Sequence, residues 1–244
     1  TRNRSVLIGL IRNTKKPAAT RFELRAPNAF TNTYIAISLV YMAALDGIRY
    51  ALSSGKTPAA LCAELSKKPG EAADYLEKDR AYRSEVDVFE AFTAEERDAM
   101  FGKAPKTVWE NFKALDEYPE KVAELACGAF EKRFVDSFKA GALKRWALEL
   151  QYRIIPENLH TVIECKPLHT EADTNPLEVE RWTVINSLRT ELGRDTEKSL
   201  SIFTKIKKAL ATEDYDTASD LMIVMNEKMD VLNDLYYEYS HNAF

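Results

Sequence analysis

Cysteine and histidine are scarce in this chain, with three histidines and three cysteines among 244 residues. Cys62, Cys127 and Cys165 are odd in number and widely spaced, which argues against a disulfide framework and for a reducing, cytoplasmic setting. Cys165 and His169 have a C-x3-H spacing, but His160 is the only other near ligand, so they read as polar loop residues rather than a zinc site. No glycine-rich phosphate loop and no G-x-S-x-G occurs, and neither does an internal repeat or a low-complexity stretch. Neither sign of charge dominates: 34 basic residues face 38 acidic ones, for a net charge of −4. That leaves no general field for nucleic acid or an acidic membrane, so any phosphate chemistry must come from a local arginine cluster. No apolar run is expected to reach the roughly 18 to 20 residues that span a bilayer. The best run, residues 35–44, is short and contains Ser38 and Tyr41. No signal peptide is expected from the opening residues of the chain. It begins with Thr1 rather than Met, inside a strand-like segment, and is expected to be a piece of a longer polypeptide.

What is present suits a sizeable core: 45% of residues are apolar and 30% charged. Residues 4–12, "RSVLIGLIR", read as a strand rich in Val, Leu and Ile. "NTKKPAAT" is a loop turning at Lys15-Lys16-Pro17. Residues 20–27 alternate as a second strand, with Phe22 and Leu24 on one face and Arg21, Glu23 and Arg25 on the other. Residues 33–52 lack alternation and read as a mostly buried helix, capped by Thr31 or Asn32 and stopped by Ser53-Ser54-Gly55. Further helices are expected over 58–65, 70–78, 82–91, 93–101, 106–115, 119–126 and 131–155, and a loop over 156–174. Asn175 reads as the cap of a long helix reaching about residue 211, with Pro176 first in it. A last helix over 215–239 repeats Ala218, Met222, Met225, Met229, Leu232, Tyr236 and Tyr239 at spacings of four and three. That seam predicts an antiparallel helical hairpin. The expected class is α+β: a few N-terminal strands, then predominantly helix. The chain is divided into residues 1–165 and a helical extension, 166–244.

The charged strand is the feature with chemical content. Charges alternating along a strand are usually a solvated face. Here Arg4 and Arg12 flank the preceding apolar strand, and an apolar helix follows, so the small sheet has little free surface. A carboxylate can bind a hard divalent cation, and guanidinium groups can hold phosphate oxygens in two-pronged contacts. Metal and arginines around a phosphate are the recurring parts of phosphoryl transfer.

These residues also stand in a known order. Asn3-Arg4-Ser5, then Arg21, Glu23, Arg25, Pro27 and Asn28, then Asn32, Tyr34 and Leu45-Asp46-Gly47-Ile48 resemble the C-terminal half of the glutamine synthetase catalytic domain. The likeness is close over residues 2–50, fainter near "GAFEKRFVDSFKAGALKRWALELQYRIIPENL", and ends at about residue 166. It implies two or three strands of a barrel-like active site and an ATP-dependent ligase. Such an enzyme phosphorylates the side-chain carboxylate of glutamate and lets ammonia displace the phosphate. By the likeness, Glu23 is a ligand of Mg2+ or Mn2+ at the ATP phosphates. Arg4 and Arg21 neutralise those phosphates, and Arg25 binds glutamate and the transferring group. The remaining ligands would lie upstream in the same polypeptide, and the intact protein would be a large homo-oligomer. One position departs from the pattern: Gly9 stands where the family usually has another arginine. Two alternatives stay open, a catalytically silent homologue with a sensing or structural role and a ligase that joins glutamate to another amine.

Overall fold

Two short strands open the computed structural model, which describes residues 5–27, 31–117, 119, 130–170 and 173–241. β1 (Ile8–Ile11) and β2 (Arg21–Leu24) pair antiparallel, with Ile8 opposite Leu24, Gly9 opposite Glu23, Leu10 opposite Phe22 and Ile11 opposite Arg21. The pairing is shorter than residues 4–12 and 20–27 suggested, and the basic loop between the strands folds on itself. The Asn13 side chain accepts from the Lys15 and Lys16 amides at 3.1 and 2.8 Å, and Pro17 opens a single 3-10 turn.

α1 (Thr33–Ser54) starts where the Asn32 side chain accepts from the amides of Tyr34 and Ile35. It stops at Gly55, whose φ of 63° places it in the left-handed region. The expectation of a mostly buried helix is corrected: only Met42 is buried, while Ile37, Val40, Tyr41, Leu45, Ile48 and Leu52 are exposed. An apolar helix is covered only where other elements pack along it. The expectation drawn from residues 35–44 also changes. Among the described residues α1 is the one helix long and apolar enough, by length and composition alone, to cross a membrane. Isolated polar residues such as Ser38 interrupt a run without removing the hydropathy of a 22-residue helix.

The end of α1 is tied down by a polar network. Tyr50 donates to Glu64 of α2 (Pro58–Leu65) at 2.8 Å and stacks on Tyr75 with ring centroids 4.4 Å apart. Tyr75 donates to Asp46. Lys56 Nζ donates to the Tyr50 hydroxyl, Glu64 and Asp74 at 2.8, 3.2 and 2.8 Å. Residues 70–78 were expected to be helical and are not, and helix in 82–91 is confined to α3 (Val88–Ala91). At the end of this stretch the buried Lys67 is satisfied by main chain: Nζ donates to the carbonyls of Lys78 and Arg80 at 2.7 and 2.9 Å. α4 (Ala94–Phe101) carries the expected capping box, with Thr93 and Glu96 bonded reciprocally.

The second half is helical. α5 (Val108–Glu117) and α6 (Lys132–Glu149) lead into a π-helical turn, Leu150–Ile154, and α7 (Ile155–Glu164). Helix therefore replaces the first part of the loop expected over 156–174. Pro156 has no amide to donate, and the chain accommodates it by widening: the Ile155 amide bonds back to the Leu150 carbonyl. The single helix expected over 175–211 is two, α8 (Pro176–Gly193) and α9 (Ile202–Ala211). Asp195 enforces the break by accepting from the Ser201 amide and hydroxyl, each at 2.8 Å, and from the Thr204 hydroxyl at 3.0 Å. Gly193 sits where a Cβ would come within 3.1 Å of Leu159 Cδ1. α10 (Tyr215–Ser240) follows a turn at Glu213, whose φ is 55°.

α9 and α10 form the hairpin, and α8 packs on both. The expected seam is present: Ile185, Leu192, Phe203, Ile206, Leu210, Met225, Met229 and Leu232 are buried together, with Leu188 and Met222 partly buried beside them. Two compact units emerge, the first drawn from residues 1–104 and 119–131, the second from 105–118 and 132–244. Residue 165, where the sequence reading divides the chain, lies within the second. Most of the helix expected over 119–126 lies outside the described residues.

Candidate functional site

β2 places its charges by alternation. Glu23 stands opposite Gly9, and Arg21, paired with Ile11, is exposed two residues earlier. Arg25 lies just beyond β2, and its amide extends the pairing by donating to the Leu7 carbonyl at 2.9 Å. Its guanidinium folds back across the strand pair. Nε donates to Glu23 Oε1 at 3.2 Å, and Nη1 donates to the Val6 carbonyl at 3.0 Å. The space it fills lies over Gly9. A Cβ there would sit 3.1 Å from Arg25 Nη2, 3.5 Å from Nη1 and 3.6 Å from Cζ. The structure thus brings Glu23 and Arg25 together. Arg4 lies outside the described residues, so its place in this cluster is not described.

The Glu23–Arg25 pair is only partly screened from water, with the two side chains 44% and 25% exposed. Exposure at that level keeps the pair's net contribution to stability small. It also leaves Glu23 able to accept from, or coordinate to, more than one partner, since a carboxylate offers about four lone-pair sites. Glu23 is chemically suited to a hard cation, but such an ion takes six or more oxygens. No group of three or more His, Cys, Asp or Glu that could hold a metal ion occurs among the described residues. Glu23 could therefore supply one ligand to a metal site and not the whole of it. Beside the end of β2 an open groove of about 490 Å³ is lined mainly by Leu24, Pro27, Ala36, Ile37, Val40 and Tyr41.

The other constellations resolve into structural roles. The Cys165 thiol is buried, donates to the Thr161 carbonyl at 3.3 Å, and has its pKa pushed up by that burial. His169 pairs with Glu178 at 3.0 Å. Tyr75, which the sequence suggested was part of a helix face, is instead the partner of Tyr50. In that network Asp74 holds the Lys56 pKa up, the Tyr50 hydroxyl holds Glu64 down, and Lys56 holds Asp74 down. Sequence reasoning missed two features. Gly9 stands out in the sequence as a departure, but that Arg25 packs over it does not, and the one signal is a glycine in an apolar strand, a mark of close backbone approach. The Lys56 network draws its members from between Asp46 and Tyr75 with no periodic spacing.

The comparisons with known proteins converge on this segment. The model of the glutamine synthetase catalytic domain matches residues 1–92. A glutamine synthetase of Aquifex aeolicus (strain VF5) is 40% identical over 55 residues, which is 22% of this chain and 12% of that protein. The matched stretch thus spans about an eighth of the length of that relative. No solved structure matches the chain. The paired strands and the helix after them lie in the stretch that is similar to the catalytic domain of glutamine synthetases.

Proposed function

We propose that this chain is the C-terminal part of a glutamine synthetase-like ligase, carrying a helical extension, and that the whole protein amidates glutamate at the expense of ATP. The observation that carries the reading is the Glu23–Arg25 pair laid over Gly9, inside the matched segment. An acid and a guanidinium held on one strand face are what a metal–phosphate cluster needs from its wall. Glu23 would give one oxygen ligand to Mg2+ or Mn2+, which when bound supplies charge neutralisation at the ATP phosphates. Arg21 and Arg4 would hold phosphate oxygens. Arg25 would bind the glutamate substrate and steady the transferred group. The missing ligands would come from upstream sequence, which would also extend the two strands into a barrel and cover the exposed side of α1. On this reading α1 is a helix of a soluble, cytoplasmic domain. Its polar ties through Asp46 and Tyr50 support that reading over a membrane span.

A catalytically silent homologue is the second reading, and Gly9 in place of an arginine is what favours it. Against it, the Arg25 guanidinium occupies the space over Gly9, so a cation still stands there. The test is Glu23→Gln in the full-length protein. Loss of most ATP-dependent glutamine formation with unchanged melting is expected. Near-normal turnover at saturating Mg2+ or Mn2+ would overturn the assignment.

A further inference from the structure

We infer that Gly9 is a positioning residue for Arg25: the strand position opposite Glu23 must carry nothing bulkier than a methyl group so that the guanidinium can lie across the pair. The inference deepens the ligase reading, because the use of Arg25 on substrate rests on it. The geometry itself does not. Among the anchors of Arg25 are its amide on Leu7, Nη1 on Val6 and Nε on Glu23. Val6 precedes β1, on the strand opposite Arg25, so the side chain must cross the pairing to reach its carbonyl. It crosses at Gly9, with three guanidinium atoms between 3.1 and 3.6 Å from where a Cβ would stand. A methyl group at those distances is tight but lies parallel to a flexible group that can rise by a few tenths of an ångström. A branched side chain adds atoms in the space the guanidinium fills, and Arg25 must leave. Backbone freedom is not the reason for this glycine. It pairs in register within β1, and among the described glycines only Gly55, Gly70 and Gly102 have positive φ.

Two effects of the same substitution then separate. Valine favours a strand over glycine, so Gly9→Val should not weaken β1 intrinsically. It should nevertheless displace the guanidinium. A merely structural glycine predicts the reverse: a weakened fold with Arg25 in place.

The experiment takes the full-length protein as parent, Gly9→Ala and Gly9→Val, with crystallography and steady-state kinetics on each. In Gly9→Val the contacts of Arg25 to Glu23 and Val6 should be lost, and in Gly9→Ala kept with a small outward shift. The KM for glutamate should rise about tenfold in Gly9→Val, the scale of one charge-assisted hydrogen bond, with the KM for ATP unchanged. Gly9→Ala should lie near the parent. Arg25 still bonded to Glu23 and Val6 in Gly9→Val overturns the inference, whatever the kinetics. Arg25 displaced with the glutamate KM unmoved supports the positioning and instead removes Arg25 from the glutamate site. If Gly9→Val does not fold, Gly9→Ala decides alone: an unmoved guanidinium overturns the inference, and one moved outward by a few tenths of an ångström supports it.

Discussion

Met225 is the residue on which the second unit's packing can be tested most directly. It has no exposed surface, lies on the α10 face that meets α8 and α9, and its sulfur accepts from the Asn158 amide at 3.6 Å. Met225→Ala removes three heavy atoms from a site closed on all sides, so the lost transfer energy is joined by a cavity term. Together these cost about 3 kcal/mol, within the range for large-to-small core changes. The same helix supplies the control. Val231 is 48% exposed, and Val231→Ala should stay within about 0.5 kcal/mol of the parent. Urea unfolding read by tryptophan fluorescence is the assay. Trp109, Trp146 and Trp182 all belong to the second unit, so the signal reports that unit even if the chain does not unfold in one step. At a typical slope, about 3 kcal/mol moves the midpoint by about 1 to 2 M urea. Met225→Asp should be worse, because nothing among the groups described around it supplies a countercharge. In the full-length protein it should loosen the hairpin or the oligomer and leave activity per folded site. A Met225→Ala midpoint within about 0.3 M of the parent would mean that the α8–α10 seam is not the core. Loss of ATP or glutamate binding in Met225→Asp without altered melting would place the tail in the active site instead.

Residues 1–244 alone should show no ATP-dependent glutamine formation, since Glu23 is one ligand where several oxygens are needed; synthesis by the purified chain, free of host enzyme, would contradict this. Full-length protein should run as a large homo-oligomer in light scattering, and a stable, active monomer would reject that expectation. The Lys56 network should weaken in acid. Glu64 and Asp74 titrate below their ordinary values of 4.5 and 3.8, so the stability they contribute is present above those values and is lost as pH falls through the lower folded ones. Hydrogen-exchange protection over residues 50–74 should therefore drop below about pH 4, and Glu64→Gln should make that drop shallower. An identical acid profile in Glu64→Gln would show that the network does not hold the end of α1.

The strongest local signals in the sequence survived folding because each is satisfied within a few residues. Asn32 and Asn175 cap α1 and α8, Thr93 and Glu96 close the box of α4, and Gly55 stops α1 in the left-handed region. Strand alternation set Glu23 and Arg25 on one side of β2. The seam of α10 was readable because fully buried residues recur at helical spacing, and a helix of 26 residues repeats the signal many times.

What the sequence could not decide were outcomes set by residues distant in the chain or by competition between local preferences. Helix expected over 70–78 did not form, and the chain there is instead tied by side chains from elsewhere, Lys56 to Asp74 and Lys67 to the Lys78 carbonyl. The break between α8 and α9 depends on Asp195 reaching six residues forward to Ser201, and helical periodicity alone runs straight through it. Pro156 reads as a stop unless the preceding turn can widen, which only the packed helix shows. Burial of α1 was inferred from its own composition, yet burial belongs to the neighbours and not to the helix. Gly9 makes the same point at the site. In the sequence it is a missing arginine. In the structure it is the space that Arg25 occupies, because the pairing of two strands brings residue 25 back over residue 9.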